Sequence, residues 1–258
     1  TVILSGDGAD ELFFGYDRFS SIVKNFRIQK YPYWLKYIIY GFDKILFNND
    51  HINSNSLFDL PGNAQLYLQQ RFPSDLLNLI LPELKNISIP NNFDIYNYKY
   101  PKTKSDLLQF MRYAEFYGMM QKTLRKVDMA SMHNSLEVRL PFLNKNFLET
   151  ALKIDPFLSF NRQIENKNIL REIIKRKNKN LKLEKAKKGF SVPITKWIRK
   201  ELQKNIRETV MDNHLINHFG LNKVELENLL TNHINSNKDY KWPIFTIYTL
   251  FKWRSNLT

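Results

Sequence analysis

Cysteine is missing from all 258 residues of this chain. Disulfide staples, thiolate nucleophiles and cysteine-bound metals are therefore excluded within it. That absence fits a reducing compartment, and the localisation expected is cytoplasmic. Glycine is scarce, with 8 residues. None of them completes a Gly-x-Gly-x-x-Gly fingerprint or a Walker loop ending in Gly-Lys-Ser/Thr. Long apolar runs are also lacking. The most apolar stretch, 31–47, is interrupted by Lys36, Asp43 and Lys44 and is shorter than the roughly 20 residues a bilayer requires. No signal peptide is recognisable, and no membrane partner is expected. Acidic residues are the minority charge, 25 against 39 basic, giving a net charge of +14. Nucleic acid is one partner such an excess can indicate. The basic residues are dispersed apart from the run 167–188, no nucleic-acid motif accompanies them, and Asn, Lys, Ile, Tyr and Phe are all abundant. Composition drift explains the charge better, so no nucleic acid is expected as a partner.

What is present begins at the first residue. Thr1-Val2-Ile3-Leu4 has strand character and runs into Ser5-Gly6-Asp7-Gly8-Ala9-Asp10-Glu11-Leu12-Phe13-Phe14-Gly15-Tyr16. A short strand opening into a glycine-containing loop and then a helix is how open α/β sheets present ligands at the carboxyl ends of their strands. Gly6 and Gly8 let the backbone approach a ligand closely. Asp7, Asp10 and Glu11 repel one another unless a cation lies among them, and magnesium carried by nucleotide phosphates is one such cation. By itself the segment could equally be an ordinary acidic turn. A strand at residue 1 without an initiator Met reads as the middle of a domain.

Apolar spacing predicts helices at 11–28, 32–47, 66–72, 74–81, 105–127, 147–153, 169–177, 195–210, 223–235 and 244–254. Ser74, Ser105 and Thr195 are the expected N-caps of three of them. In the stretch 105–127, Leu107, Phe110, Met111, Ala114, Tyr117, Met120, Leu124 and Val127 form one stripe, read as core. Polar loops are expected at 48–56 and 189–193. His214 and His218 share a helical spacing, but the Glu of a zinc-protease pattern is missing, and the pair reads as coincidence.

Two further segments stand out. One runs Lys126-Val127-Asp128-Met129-Ala130-Ser131-Met132-His133-Asn134-Ser135-Leu136-Glu137-Val138-Arg139-Leu140-Pro141-Phe142-Leu143-Asn144. Within it Glu137 and Arg139 have the makings of a structural ion pair. The other is Lys187-Lys188-Gly189-Phe190-Ser191-Val192-Pro193, with Trp197 just beyond. Taken together, in this order, the three segments resemble the synthetase domain of the glutamine-dependent asparagine synthetases. The likeness extends to about Trp197. It departs at Met129, where the family carries Arg; at Ala186, where it carries Pro; at Phe14, where many members have Gly; and at Asn144, where it carries Asp.

The resemblance implies a fold: α/β, the helix-rich C-terminal part of an adenine nucleotide alpha hydrolase-like domain, with a parallel sheet incomplete because its first strands are missing. Residues 1–200 would belong to that domain and 201–258 would be its helical extension. It also implies a reaction, the ATP-dependent amidation of a carboxylate, typically that of aspartate, through an acyl-adenylate that ammonia then attacks. ATP and Mg²⁺ are the cofactors implied. Ser5 and Gly6 would contact ATP, Asp7 and Lys187 would serve adenylate formation and charge neutralisation, and Asp10 would help hold magnesium pyrophosphate. Glu11, Glu137 and Arg139 would lie on the substrate side. The family's Ser-Gly-Gly-x-Asp-Ser loop and its glutaminase cysteine do not occur in this sequence. The expectation is therefore a fragment whose partner is an N-terminal glutaminase domain of the same polypeptide, inactive when isolated. Amidation of a different carboxylate, or a remnant without catalysis, are the other readings.

Overall fold

The computed structural model describes residues 1–47, 61–86, 95–98, 100–160, 167–180, 192–236 and 238–257. The chain divides into two compact units, one formed by Thr1–Leu68 with Pro90–Lys187, the other by Gln69–Ile89 with Lys188–Thr258. Among the described residues, no helix is long and apolar enough to cross a membrane.

The first unit is helix-rich α/β and holds a small parallel sheet. Strand β1 (Val2–Leu4) pairs with β2 (Glu137–Arg139), Val2 opposite Glu137 and Leu4 opposite Arg139. Both carboxyl ends therefore point the same way. Beyond β1 come α1 (Ala9–Leu12) and α2 (Asp17–Asn25). The single helix expected at 11–28 is thus broken. The break lies at Phe14, whose φ of 57° is left-handed, followed by Gly15, whose amide donates to the Asp10 carbonyl at 2.8 Å. Then come α3 (Tyr33–Phe47) and α4 (Pro61–Gln69). The apolar side of α3 faces solvent, with Trp34 64% and Ile45 81% exposed.

The chain's next helix, α5 (Ser74–Ile80), belongs to the second unit, and the long stripe expected at 105–127 is realised as α6 (Lys104–Ala114), a π-helical turn (Glu115–Met119) and α7 (Met120–Met132). Its cap is Thr103, not Ser105. Thr103 Oγ1 accepts from the Asp106 amide, and Asp106 Oδ2 accepts from the Thr103 amide, a reciprocal capping box. The wider π turn shifts the stripe around the axis. Leu107, Met111, Ala114 and Met120 are fully buried, while Tyr117 is half exposed. Helices α8 (Lys145–Lys153), α9 (Pro156–Ser159) and α10 (Asn168–Lys177) complete the unit. One core gathers Phe14, Phe19, Ile22, Phe26, Leu108 and Phe160. Another gathers Leu12, Phe13 and Ala151, with Phe116, Phe142 and Leu148 against them.

The second unit packs α5 (Ser74–Ile80) with α11 (Ile194–Arg199), α12 (Gln203–Val210), α13 (Asn213–His218), α14 (Lys223–Ile234) and α15 (Lys241–Ser255) around Ile80, Ile198, Leu226, Leu230, Ile244 and Phe251. The Ile80 carbonyl accepts from the Asn222 amide at 2.8 Å. Two expected caps fail here. Pro73, not Ser74, occupies the cap position of α5. Thr195 lies inside α11, and its hydroxyl bonds to Asp239. The helix expected at 195–210 is split in two, because Lys200 leaves helical geometry at φ −129°, ψ −90°. True side-chain caps are Asp212 and Asn222. His214 and His218 stack nearly parallel, 6.4 Å apart. The loop expected at 48–56 lies outside the described residues.

Candidate functional site

The loop after β1 is pinned to the segment after β2. The Ser5 amide donates to the Arg139 carbonyl at 3.0 Å, extending the ladder by one bond. Gly8, at φ 95°, adopts a conformation that side chains resist. A Cβ there would lie 2.7 Å from Leu143 and 3.3 Å from Phe142. The Ser5–Gly8 backbone is thereby seated against the Pro-Phe-Leu turn. Two of the three stretches singled out from the sequence meet at the carboxyl ends of one parallel strand pair.

The acidic groups each have a distinct environment. Asp7 Oδ2 accepts from Ser5 Oγ at 2.5 Å. Asp10 Oδ1 lies 2.8 Å from Lys167 Nζ. A lysine at the head of α10 thus pairs with one of the three carboxylates. Its own backbone is left-handed at φ 59°. Gly15 is forced by Asp10, since a Cβ on it would lie 1.6 Å from Asp10 Oδ1. Glu11 is buried, and its Oε1 accepts from Tyr16 Oη at 2.5 Å. Burial, and then the hydrogen bond and charge of Glu11, hold the Tyr16 pKa far above its ordinary value. The phenol stays protonated and stays a donor.

A polar chain continues inward from this point. The Arg18 guanidinium lies 3.8 Å over the Tyr16 ring and binds Glu115 through two bonds of 2.8 and 2.5 Å. Burial works to lower the Arg18 pKa, but bonding to Glu115 and its charge outweigh it and raise the value. Glu115, fully buried in the π turn, also accepts from Gln65 Nε2 at 3.0 Å. Gln65 Oε1 accepts from Tyr98 Oη at 3.3 Å. Glu137 and Arg139 pair with each other at 2.9 Å and are both exposed. Lys187 lies outside the described residues. Among the described residues no group of three or more His, Asp or Glu side chains is arranged to hold a metal ion. Hard carboxylate oxygens on Asp7 and Asp10 nevertheless suit Mg²⁺, which is ordinarily held by one or two carboxylates together with substrate phosphates.

Residues 1–255 match the family described as "Asparagine synthase". The chain belongs to the asparagine synthase family. A relative from Bacillus subtilis (strain 168), "Asparagine synthetase [glutamine-hydrolyzing] 1", is 26% identical over 265 residues, covering 99% of this chain and 40% of the relative. The chain thus spans less than half the length of that relative. No solved structure matches it significantly. The family match runs through the second unit as well as the first, beyond the point near Trp197 where the motif likeness fades.

The family's motifs account for Ser5, Asp7, Asp10 and Glu11, but they did not disclose Lys167, Arg18, Glu115 or Gln65. Lys167 sits in a basic run with nothing to mark it. Glu115 and Gln65 each lie within helical segments, and only the fold brings them together with Arg18.

Proposed function

We propose that this chain is part of an ATP-dependent synthetase domain, of the adenine nucleotide alpha hydrolase type, that converts a carboxylate into an amide. The observation that supports this most directly is the meeting of the Ser5–Gly8 loop with the Leu140–Leu143 turn at the carboxyl ends of β1 and β2, where open α/β sheets take their ligands. A substrate carboxylate oxygen attacks the α-phosphorus of ATP, pyrophosphate leaves, and ammonia then displaces AMP from the acyl-adenylate. Aspartate is the substrate favoured by family membership, and glutamine the ammonia source, through a glutaminase domain of the same polypeptide.

Within this reading Ser5 and Gly6 meet ATP, and the space above Gly6 is open, with nothing within 4 Å of where a Cβ would stand. Asp7 serves adenylate formation, its rotamer fixed by Ser5. Asp10, paired with Lys167, would help hold magnesium pyrophosphate. Bound Mg²⁺ would neutralise the leaving pyrophosphate. Glu11 orients the amino-acid substrate through the oxygen not committed to Tyr16. Glu137 and Arg139 line the substrate side, and Lys187 neutralises phosphate charge and the oxyanion formed as ammonia attacks.

The test is carboxylate-dependent exchange of labelled pyrophosphate into ATP, run on the protein purified from its own cells across a panel of acids. Exchange with aspartate, lost on Asp7→Asn, is the expected result. Exchange with no acid, or exchange untouched by Asp7→Asn, would sink the assignment. Exchange with a different acid, equally lost on Asp7→Asn, would keep the chemistry and replace aspartate.

A further inference from the structure

A cavity of about 800 Å³ opens in the first unit between α6, the π turn, α8 and the segment 95–98. Its size is that of small-molecule sites. Aromatic rings dominate its wall, and they are already arranged against one another. Tyr98 and Phe110 stack with centroids 5.2 Å apart, Tyr113 and Tyr117 lie 4.5 Å apart, and Phe116 stands edge-on to Tyr117 at 5.4 Å. The π turn contributes Phe116 and Tyr117, and such turns recur at functional sites. Tyr113 and Tyr117 are half exposed, so their ring surfaces are within reach of a molecule arriving from solvent.

Charge decides what such walls admit. Among the described residues lining the cavity Arg112 alone is charged, and it is 1% exposed. Its Nη1 donates to the Ala151 carbonyl at 3.1 Å, and its Nη2 donates to the Leu152 carbonyl at 3.0 Å and to Gln109 Oε1. These bonds tie α6 to the last turn of α8, so Arg112 braces the wall and offers no accessible charge to a guest. An anion entering here would lose its water and find no cation to touch. A cation would lose its water and find no carboxylate in the described wall. Either way an ion is desolvated without compensation. A neutral aromatic guest meets no such penalty. It adds further edge-on or offset contacts to rings that already pack that way, beyond the gain from buried area alone.

We propose that this cavity binds an uncharged, flat polycyclic aromatic molecule, held by packing against the tyrosine and phenylalanine rings. A single benzene ring would leave most of the volume empty. No bond is made or broken there. The site uses none of the residues assigned to the amidation reaction, and it stands or falls independently of that reading.

The protein purified from its own cells is titrated by calorimetry with naphthalenes that share a ring system and differ in charge: neutral 2-naphthol, the anion 2-naphthoate and the cation 2-naphthylmethylammonium. Naphthol should bind at least about tenfold more tightly than either ion. Decahydro-2-naphthol keeps the carbon skeleton without the π-system and should bind about fivefold more weakly than naphthol. Tyr113→Ala and Tyr117→Ala, both at exposed positions that tolerate truncation, should each weaken naphthol about fivefold through lost ring contact. Naphthol should also slow hydrogen exchange in peptides covering the π turn and α8. Undetectable binding of naphthol, an ion or the saturated analogue bound as tightly as naphthol, indifference to both tyrosine variants, or exchange slowed only elsewhere would each overturn the proposal.

Discussion

Phe14 poses a sharp test of how the acidic loop is held. Its backbone is left-handed, at φ 57°, the region that costs a non-glycine residue about 1–2 kcal/mol. Its side chain is fully buried, edge-on to Phe19 at 5.3 Å and to Phe160 at 5.9 Å. Truncating such a ring to Ala forfeits about 3–5 kcal/mol. Truncation to Gly removes one carbon more, yet it also releases the backbone strain. Against this runs the extra freedom of glycine in the unfolded chain, about 0.5–1 kcal/mol. The balance, with the lost carbon worth up to about 0.8 kcal/mol, leaves Phe14→Gly more stable than Phe14→Ala by up to about 1 kcal/mol, the reverse of the usual order within a helix. Hydrogen exchange read on peptides covering α2 would report this within the first unit alone. An alanine variant as stable as the glycine variant, or more so, would refute the claim that strain is stored at this position.

Arg18→Met should destabilise the first unit by about 3–5 kcal/mol, because it strips the guanidinium from a fully buried carboxylate. Adding Glu115→Gln should recover part of that loss, and a double-mutant cycle by urea denaturation measures how much. In the second unit, burial and then the charge of Arg199 lower the pKa of His233, with Asp239 opposing, and His233 Nδ1 accepts from the Tyr240 amide at 3.0 Å. The unfolded imidazole, titrating near about 6.5, takes up its proton at higher pH than the folded one does. Stability from this group is therefore full above that pH and is lost as pH falls below it, towards the lowered folded value. Urea midpoints at about pH 7.5 and about pH 5.5 should diverge for the parent and converge for His233→Gln.

The sequence disclosed the loop because its chemistry is compressed into twelve neighbouring residues. It disclosed β1 because Val2, Ile3 and Leu4 are apolar and β-prone. It did not disclose β2, since Glu137-Val138-Arg139 has only one apolar residue and both charged side chains are exposed. Long stripes predicted helices well and their interruptions poorly. The break at Phe14 depends on a close approach between Gly15 and Asp10, and the break at Lys200 on local backbone geometry. Caps went to Thr103, Asp212 and Asn222, because a cap depends on where the first turn begins, and propensity locates that only to within a residue or two. Gln69–Ile89 joins the C-terminal helices through Leu76, Ile80 and Leu81, a pairing at long sequence separation that periodicity does not encode.

The same logic explains why the site depends on residues no motif names. Glu11 holds Tyr16, Tyr16 supports Arg18, Arg18 binds Glu115, and Glu115 is fixed from behind by Gln65, which Tyr98 holds in turn. Each link has its charge or its proton satisfied by the next, which is the condition under which a buried polar chain rigidifies a fold rather than weakening it. The conformation of the acidic loop is thus set partly by a π turn about a hundred residues away in sequence. A substitution at Gln65 should loosen the loop before it loosens the sheet, because the β1–β2 ladder and the Ser5–Arg139 bond lie outside this chain of contacts.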